Sequence, residues 1–158
     1  MLEIYIQSKF FPLIFANFRP FQIDATKEQW DQRIEAVRAG GISAITNGTA
    51  DRWLSESFRN AHPEIDQQVR HMIGRTSAEG FMACAKAVRD YDARPFLKDI
   101  QCPVLLIAGS GDMAAPVSEY PLMQSSIPTN EYLLFNAAHI SNIECESDFT
   151  AATLKFLK

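Results

Sequence analysis

Two side chains in the last third of the chain, Asp112 and His139, have the types and spacing for proton transfer. A histidine titrates near neutral pH, so its ring can take a proton from a hydroxyl and return it to a leaving group. A carboxylate on the second ring nitrogen fixes the tautomer and stabilises the imidazolium as it forms. Each residue alone says little. An aspartate after Gly109-Ser110-Gly111 is also an ordinary turn or cap residue, and a single loop histidine often has no task. What joins them is the position of the flanking elements.

Cys102 to Ala108 is a continuous apolar run, as in a strand buried on both faces of a parallel sheet. Gly109 to Asp112 forms the turn at its carboxyl end. Pro116 to Ile127 reads as a crossover helix and Asn130 to Phe135 as the next parallel strand. A loop from Asn136 to Glu146 and a closing amphipathic helix from Ser147 follow. A right-handed crossover sets the two strands side by side. Parallel sheets bind ligands outside the carboxyl ends of their strands. Asp112 and His139 fall in those two loops, which predicts side chains about 2.6–3.2 Å apart.

Earlier in the chain, Phe10 to Ala16 is a short apolar, aromatic run that suits another buried strand, with Pro12 tolerated near its start. Leu2 to Lys9 shows no clear period. From Asp24 the character is helical. Asp24 or Thr26 is a plausible N-cap, Trp30, Ile34 and Val37 recur at helical spacing, and Gly40-Gly41 ends the helix. A second helix is expected over Ile42 to Leu54. A third is opened by Pro63 and carries Ile65, Val69, Met72 and Ile73 on one face. A fourth begins near Thr76 and runs through Phe81, Cys84, Ala85 and Val88. This block is too long for one crossover. It reads as a helical cap, residues 24–95, free of strand pairing and standing over the strands' carboxyl ends. Residues 1–23 and 96–158 then supply the strands of an α/β core.

Composition removes several classes. Of the 158 residues, 47% are hydrophobic and 22% charged, which is an ordinary globular balance. A net charge of -4 lacks the basic face that nucleic acid requires. No stretch is long enough to cross a bilayer. Met1 to Asn17 is apolar, but it has no basic start and no small-residue cleavage site, and Lys9 interrupts it. The expectation is a soluble, cytoplasmic chain. Cys84, Cys102 and Cys145 stand far apart in no metal-ligand pattern, so free structural thiols are expected and a metal is not.

Pro103-Val-Leu-Leu-Ile-Ala-Gly-Ser-Gly-Asp112, followed by Pro116, resembles the acid-bearing strand and turn of the α/β-hydrolase superfamily. Ala137-Ala-His139-Ile-Ser-Asn142-Ile-Glu144, with Phe149 and Phe156-Leu157, resembles its histidine loop and last helix. In the helical block, Trp30 to Gly41, Arg52-Trp53, Phe58-Arg59, Gly80-Phe81, Cys84, Ala85 and Arg89-Asp90 are similar to 3-oxoadipate enol-lactonases. The resemblance implies the carboxy-terminal part of an α/β-hydrolase fold, about three parallel strands with a helical cap. It further implies hydrolysis of an enol-lactone in the β-ketoadipate route of aromatic-compound breakdown. A serine attacks the lactone carbonyl, His139 is the base in both steps, Asp112 is the acid, and no cofactor is needed. The substrate in that family carries a free carboxylate. Arg33, Arg52 and Arg59 are therefore candidates to pair with it, and Trp53 to wall the pocket, although a solvated helix face also uses arginines.

One part of the family's pattern is missing. The nucleophile of these hydrolases sits on a G-x-S-x-G elbow, and the 158 residues contain none. Gly109-Ser110-Gly111 lacks the spacing, and Ser110 lies in the acid's own turn. The oxyanion-hole loop is absent too. The expectation is a chain inactive by itself. It is either a truncated lactonase or a remnant or subunit that pairs with a second copy or another chain through an exposed sheet edge. Ser141, two residues beyond His139, is the first serine to suspect should the chain turn over an ester.

Overall fold

In a computed structural model the described residues are 11–158; Leu2 to Lys9, and Phe10 of the expected first strand, lie outside them. Internal contacts divide the chain into two compact units. One comprises Arg94–Lys158 with the residues up to Pro20, the other Phe21–Ala93.

The first unit is built on three parallel strands, β1 (Leu13–Ala16), β2 (Val104–Gly109) and β3 (Asn130–Phe135), in the order β1-β2-β3. All six residues of β2 are buried, whereas β1 and β3 are partly exposed. A middle strand covered on both faces is why its sequence is apolar without alternation. Val104, Leu106 and Ala108 join Leu97, Tyr120, Met123 and Ile127 in one cluster, with Phe15, Phe18 and Tyr132 packed against it. Pro12 precedes β1 and so removes no hydrogen bond from the ladder.

The expected crossover helix is a 3-10 turn, Val117–Glu119, running into α6 (Tyr120–Ser126). Buried Tyr120 donates its hydroxyl to the Ile107 carbonyl at 2.8 Å and accepts the Phe18 amide at 3.2 Å. Burial pushes its phenol up, so it remains a donor. The loop after β3 contains one turn of helix not anticipated in the sequence, α7 (Ser141–Glu144), before the closing α8 (Glu146–Phe156).

The second unit holds α1 (Asp24–Gly40), α2 (Ser43–Trp53), α3 (Glu56–Ala61), α4 (Pro63–Gly74) and α5 (Ala78–Asp90). Its buried side chains include Ile34, Val37, Ile45, Thr49, Ala50, Leu54, Val69, Ile73 and Ala85. Neither Asp24 nor Thr26 caps α1. Ile23, whose aliphatic side chain cannot cap, holds the N-cap position, and the Thr26 hydroxyl donates to the Ile23 carbonyl. Gly41 ends α1 as expected, at φ 70°, its amide on the Val37 carbonyl. The block contains five helices rather than four. The added α3 is a six-residue segment capped by Ser55, whose hydroxyl accepts the Phe58 amide. An isolated antiparallel bridge joins Phe21 to Asp92, so strand pairing occurs at the end of the block expected to lack it. No helix among the described residues is long and apolar enough to cross a membrane.

Gly109 ends β2 where the loop after β3 passes over it. A Cβ there would lie 2.3 Å from the Ala138 carbonyl oxygen and 2.5 Å from that of Ala137. A methyl group must therefore displace the backbone beside His139. Gly109→Ala is expected to lower stability by about 1–3 kcal/mol, read as a lower urea midpoint. Gly111→Ala, whose Cβ would meet Ala137 at an ordinary 3.5 Å, should change it much less.

Candidate active site

Asp112 and His139 leave the sheet at the carboxyl ends of adjacent strands, and the structure brings them together. His139 Nδ1 lies 2.9 Å from Asp112 Oδ2. Asp112 is 5% exposed, and every lone pair of its carboxylate is engaged. Oδ1 accepts the amides of Ala114 at 2.7 Å and Ala115 at 2.9 Å, while Oδ2 accepts Asn17 Nδ2 at 3.0 Å besides the imidazole.

Burial acts to raise the Asp112 pKa. The hydrogen bond and charge of His139, the Ala115 amide and the Asn17 amide outweigh it, and the carboxyl is held below its ordinary value. An ionised carboxylate only accepts, so Nδ1 carries the proton of a neutral ring and Nε2 is the basic nitrogen. The His139 side chain retains 26% of its exposure. Its loop is pinned by Ala138 N on Glu144 Oε1 at 3.1 Å and by Gly111 N on the Ala137 carbonyl at 2.9 Å.

The serines near this pair are otherwise engaged. Ser141 is fully buried and donates its hydroxyl to Asn17 Oδ1 at 2.6 Å. Ser110 donates to Asn136 Oδ1 at 3.4 Å from within the acid's turn. Asn17 itself was not singled out in the sequence, where an asparagine after a strand passes for a turn residue. Its signal is positional: it follows β1 as Asp112 and His139 follow β2 and β3.

In the helical unit the four remaining candidates separate. The Arg33 guanidinium lies 4.6 Å over the Trp30 ring and 5.5 Å from that of Phe81, and donates to Thr49 Oγ1 at 3.0 Å. Its buried Nε has no hydrogen-bond partner among the described residues. Burial and the neighbouring Arg52 charge lower its pKa to about 10. Burial lowers that of Arg52 also, against the opposing pull of Asp51. Arg59 is occupied by the end of its own helix pair, donating to the carbonyls of Asp51 at 2.9 Å and Leu54 at 2.5 Å. Trp53, half-buried, is the last residue of α2.

Among solved structures, the enol-lactonase from Burkholderia xenovorans LB400 matches with a TM-score of 0.89 at 26% identity, over 94% of this chain and 56% of that one. A hydrolase from Pseudomonas aeruginosa PA01 matches with a TM-score of 0.86 at 30% identity, over 93% and 55%. The fold is that of the carboxy-terminal part of an α/β-hydrolase. Within that superfamily the chain resembles 3-oxoadipate enol-lactonases. It is 32% identical over 157 residues to 3-oxoadipate enol-lactonase 2 of Acinetobacter baylyi, a match of 99% of this chain to 58% of that protein. The chain thus spans under two thirds of the length of the relatives it matches. No protein-family model matches it.

The depressed Asp112 pKa has a stability consequence. Its contribution is fully present above the unfolded carboxyl value of about 3.9 and is lost as pH falls through that value and then the folded one. The urea midpoint should therefore fall on acidification below about pH 4, with a shallower slope in Asp112→Asn. Equal slopes would show that Asp112 titrates alike in both states.

Proposed function

We propose that this chain carries the acid–base pair of a serine-type ester or lactone hydrolase resembling 3-oxoadipate enol-lactonase, and lacks activity by itself. The observation that carries this reading is the 2.9 Å bond between His139 Nδ1 and a carboxylate already saturated with donors. In this reading Nε2 takes the proton of a serine hydroxyl as its oxygen attacks the lactone carbonyl. The imidazolium returns that proton to the ring oxygen as the C–O bond breaks and the acyl-serine forms. Water then gives its proton to Nε2, attacks the acyl carbon, and releases the serine, which is reprotonated. The substrate would be a small enol-lactone of aromatic-compound breakdown, met in the cytoplasm, and no cofactor is required.

Residues 24–95 serve as the cap in this proposal, with 1–23 and 96–158 as core. Arg33 is the candidate partner for a substrate carboxylate. Its guanidinium has an unspent donor and no carboxylate bonded to it among the described residues, and Arg52 adds like charge. Trp53 remains a candidate for the pocket wall and Arg52 a second candidate for the carboxylate, whereas Arg59 is better read as structural. The 158 residues contain no G-x-S-x-G elbow, and in this reading β1 is the strand against which a nucleophile-bearing segment would pair. It pairs with β2 alone among the described residues, and the neighbouring Phe11 is 86% exposed. The same edge favours a second reading, a non-catalytic chain that binds another copy or another protein by strand addition.

The isolated chain should neither turn over p-nitrophenyl acetate above a His139→Ala control nor be labelled by a serine-directed fluorophosphonate. Refolded with the amino-terminal portion of an enol-lactonase that bears G-x-S-x-G, it should gain turnover, which His139→Ala lowers by roughly 10⁴-fold or more. Repeated, His139-dependent turnover by the chain alone would place a nucleophile within it. No turnover from the mixture would favour the second reading.

A further inference from the structure

We propose that Asn17 is the positioning residue of the Asp112–His139 pair, its side-chain amide fixing the carboxylate and the histidine loop relative to each other. The inference rests on reading that pair as the acid and base of a hydrolase, and deepens it.

Asn17 follows β1 directly, is 9% exposed, and is the single non-glycine residue of positive φ (51°) among the described residues. Its amide donates to the Ile107 carbonyl at 2.8 Å, which anchors it to β2. Asparagine enters the left-handed region more readily than most residues, but glycine does so with less cost. The backbone alone therefore does not call for a side chain here.

Both donors of the side chain, and its oxygen, are engaged. One Nδ2 hydrogen goes to Asp112 Oδ2 at 3.0 Å, the other to the Ala138 carbonyl at 3.2 Å, and Oδ1 accepts from Ser141 Oγ at 2.6 Å. A carboxylate and a carbonyl can only accept, so both must face Nδ2 and the amide has one permitted orientation. Its three partners are the acid, the residue before the base, and a fully buried hydroxyl two residues after it. A planar group with three fixed partners therefore sets the carboxylate plane and the loop that carries His139. Asn17 also shares Oδ2 with the imidazole, so the oxygen that orients the base is itself held on its other side.

The readout is the His139 ring in the full 158-residue chain, followed by ¹H–¹⁵N NMR, which needs no turnover. Wild type should show a ring protonated at Nδ1, with a downfield proton protected from exchange; Asp112→Asn should lose that protection. Asn17→Gly keeps the left-handed backbone and removes the amide. It should fold, with the Nδ1 proton exchanging roughly tenfold faster or more, as for loss of one hydrogen bond to a charged group. Asn17→Asp keeps the shape but sets an acceptor against Asp112. It should lose the downfield signal near neutral pH and regain it on acidification, once the two carboxyls share a proton. The other titrating groups at this junction are His139 and, through the Ala138 amide, Glu144. Wild-type exchange in Asn17→Gly would reduce Asn17 to a turn residue and overturn the proposal. Should that variant fail to fold, a pH-independent wild-type signal in Asn17→Asp would overturn it equally. Failure of the hydrolase reading looks different: no turnover on complementation, with these signals unchanged.

Discussion

The Asp112 carboxylate is withdrawn from water, and an ion in that position must find a donor for each lone pair or give up its charge. A buried charge that loses its partner costs about 3–5 kcal/mol, enough to reorganise the loops around it. Its four donors come from three places: the Asn17 amide beyond β1, the Ala114 and Ala115 amides of its own turn, and His139 beyond β3. In a parallel sheet ordered β1-β2-β3, the loop after the middle strand is the one that reaches both neighbours. A carboxylate with these donors therefore belongs after β2. Gly109, the left-handed Asn17 and the buried Ser141 follow from crowding three strand ends around one carboxylate.

That geometry explains what the sequence disclosed. β2 was legible because a strand covered on both faces must be apolar at consecutive positions. α1 and α4 were legible through Gly41 and Pro63, residues tied to helix ends by their backbone chemistry. The Asp112–His139 approach followed from strand order alone. By contrast, α3 has six residues, too few to display a period, and its one signal was the capping hydroxyl of Ser55. The N-cap of α1 was misplaced because the Thr26 hydroxyl has two possible local partners and takes the carbonyl.

The contribution of Asn17 was illegible for a different reason. Its partners lie 95, 121 and 124 residues away, and no local pattern encodes bonds of that range. The arginines present the same difficulty. Arg33 and Arg59 are indistinguishable in composition and both lie on helices. They differ because the carbonyls of Asp51 and Leu54 at the end of α2 claim Arg59, while Arg33 is held by aromatic faces and a threonine hydroxyl. Which cation keeps a free donor depends on tertiary packing.

All donors to Asp112, and all partners of the Asn17 side chain, lie in the strand-bearing unit. Orientation of the His139 ring is thus enforced from the Asp112 side, at Nδ1. A nucleophile contributes attack; it is not needed to set the imidazole's tautomer or direction. This separates two functions that a complete triad performs together. The ordered Asp–His geometry can therefore exist whether or not a competent hydroxyl is present, since the free energy that holds it comes from satisfying a buried carboxylate, not from catalysis.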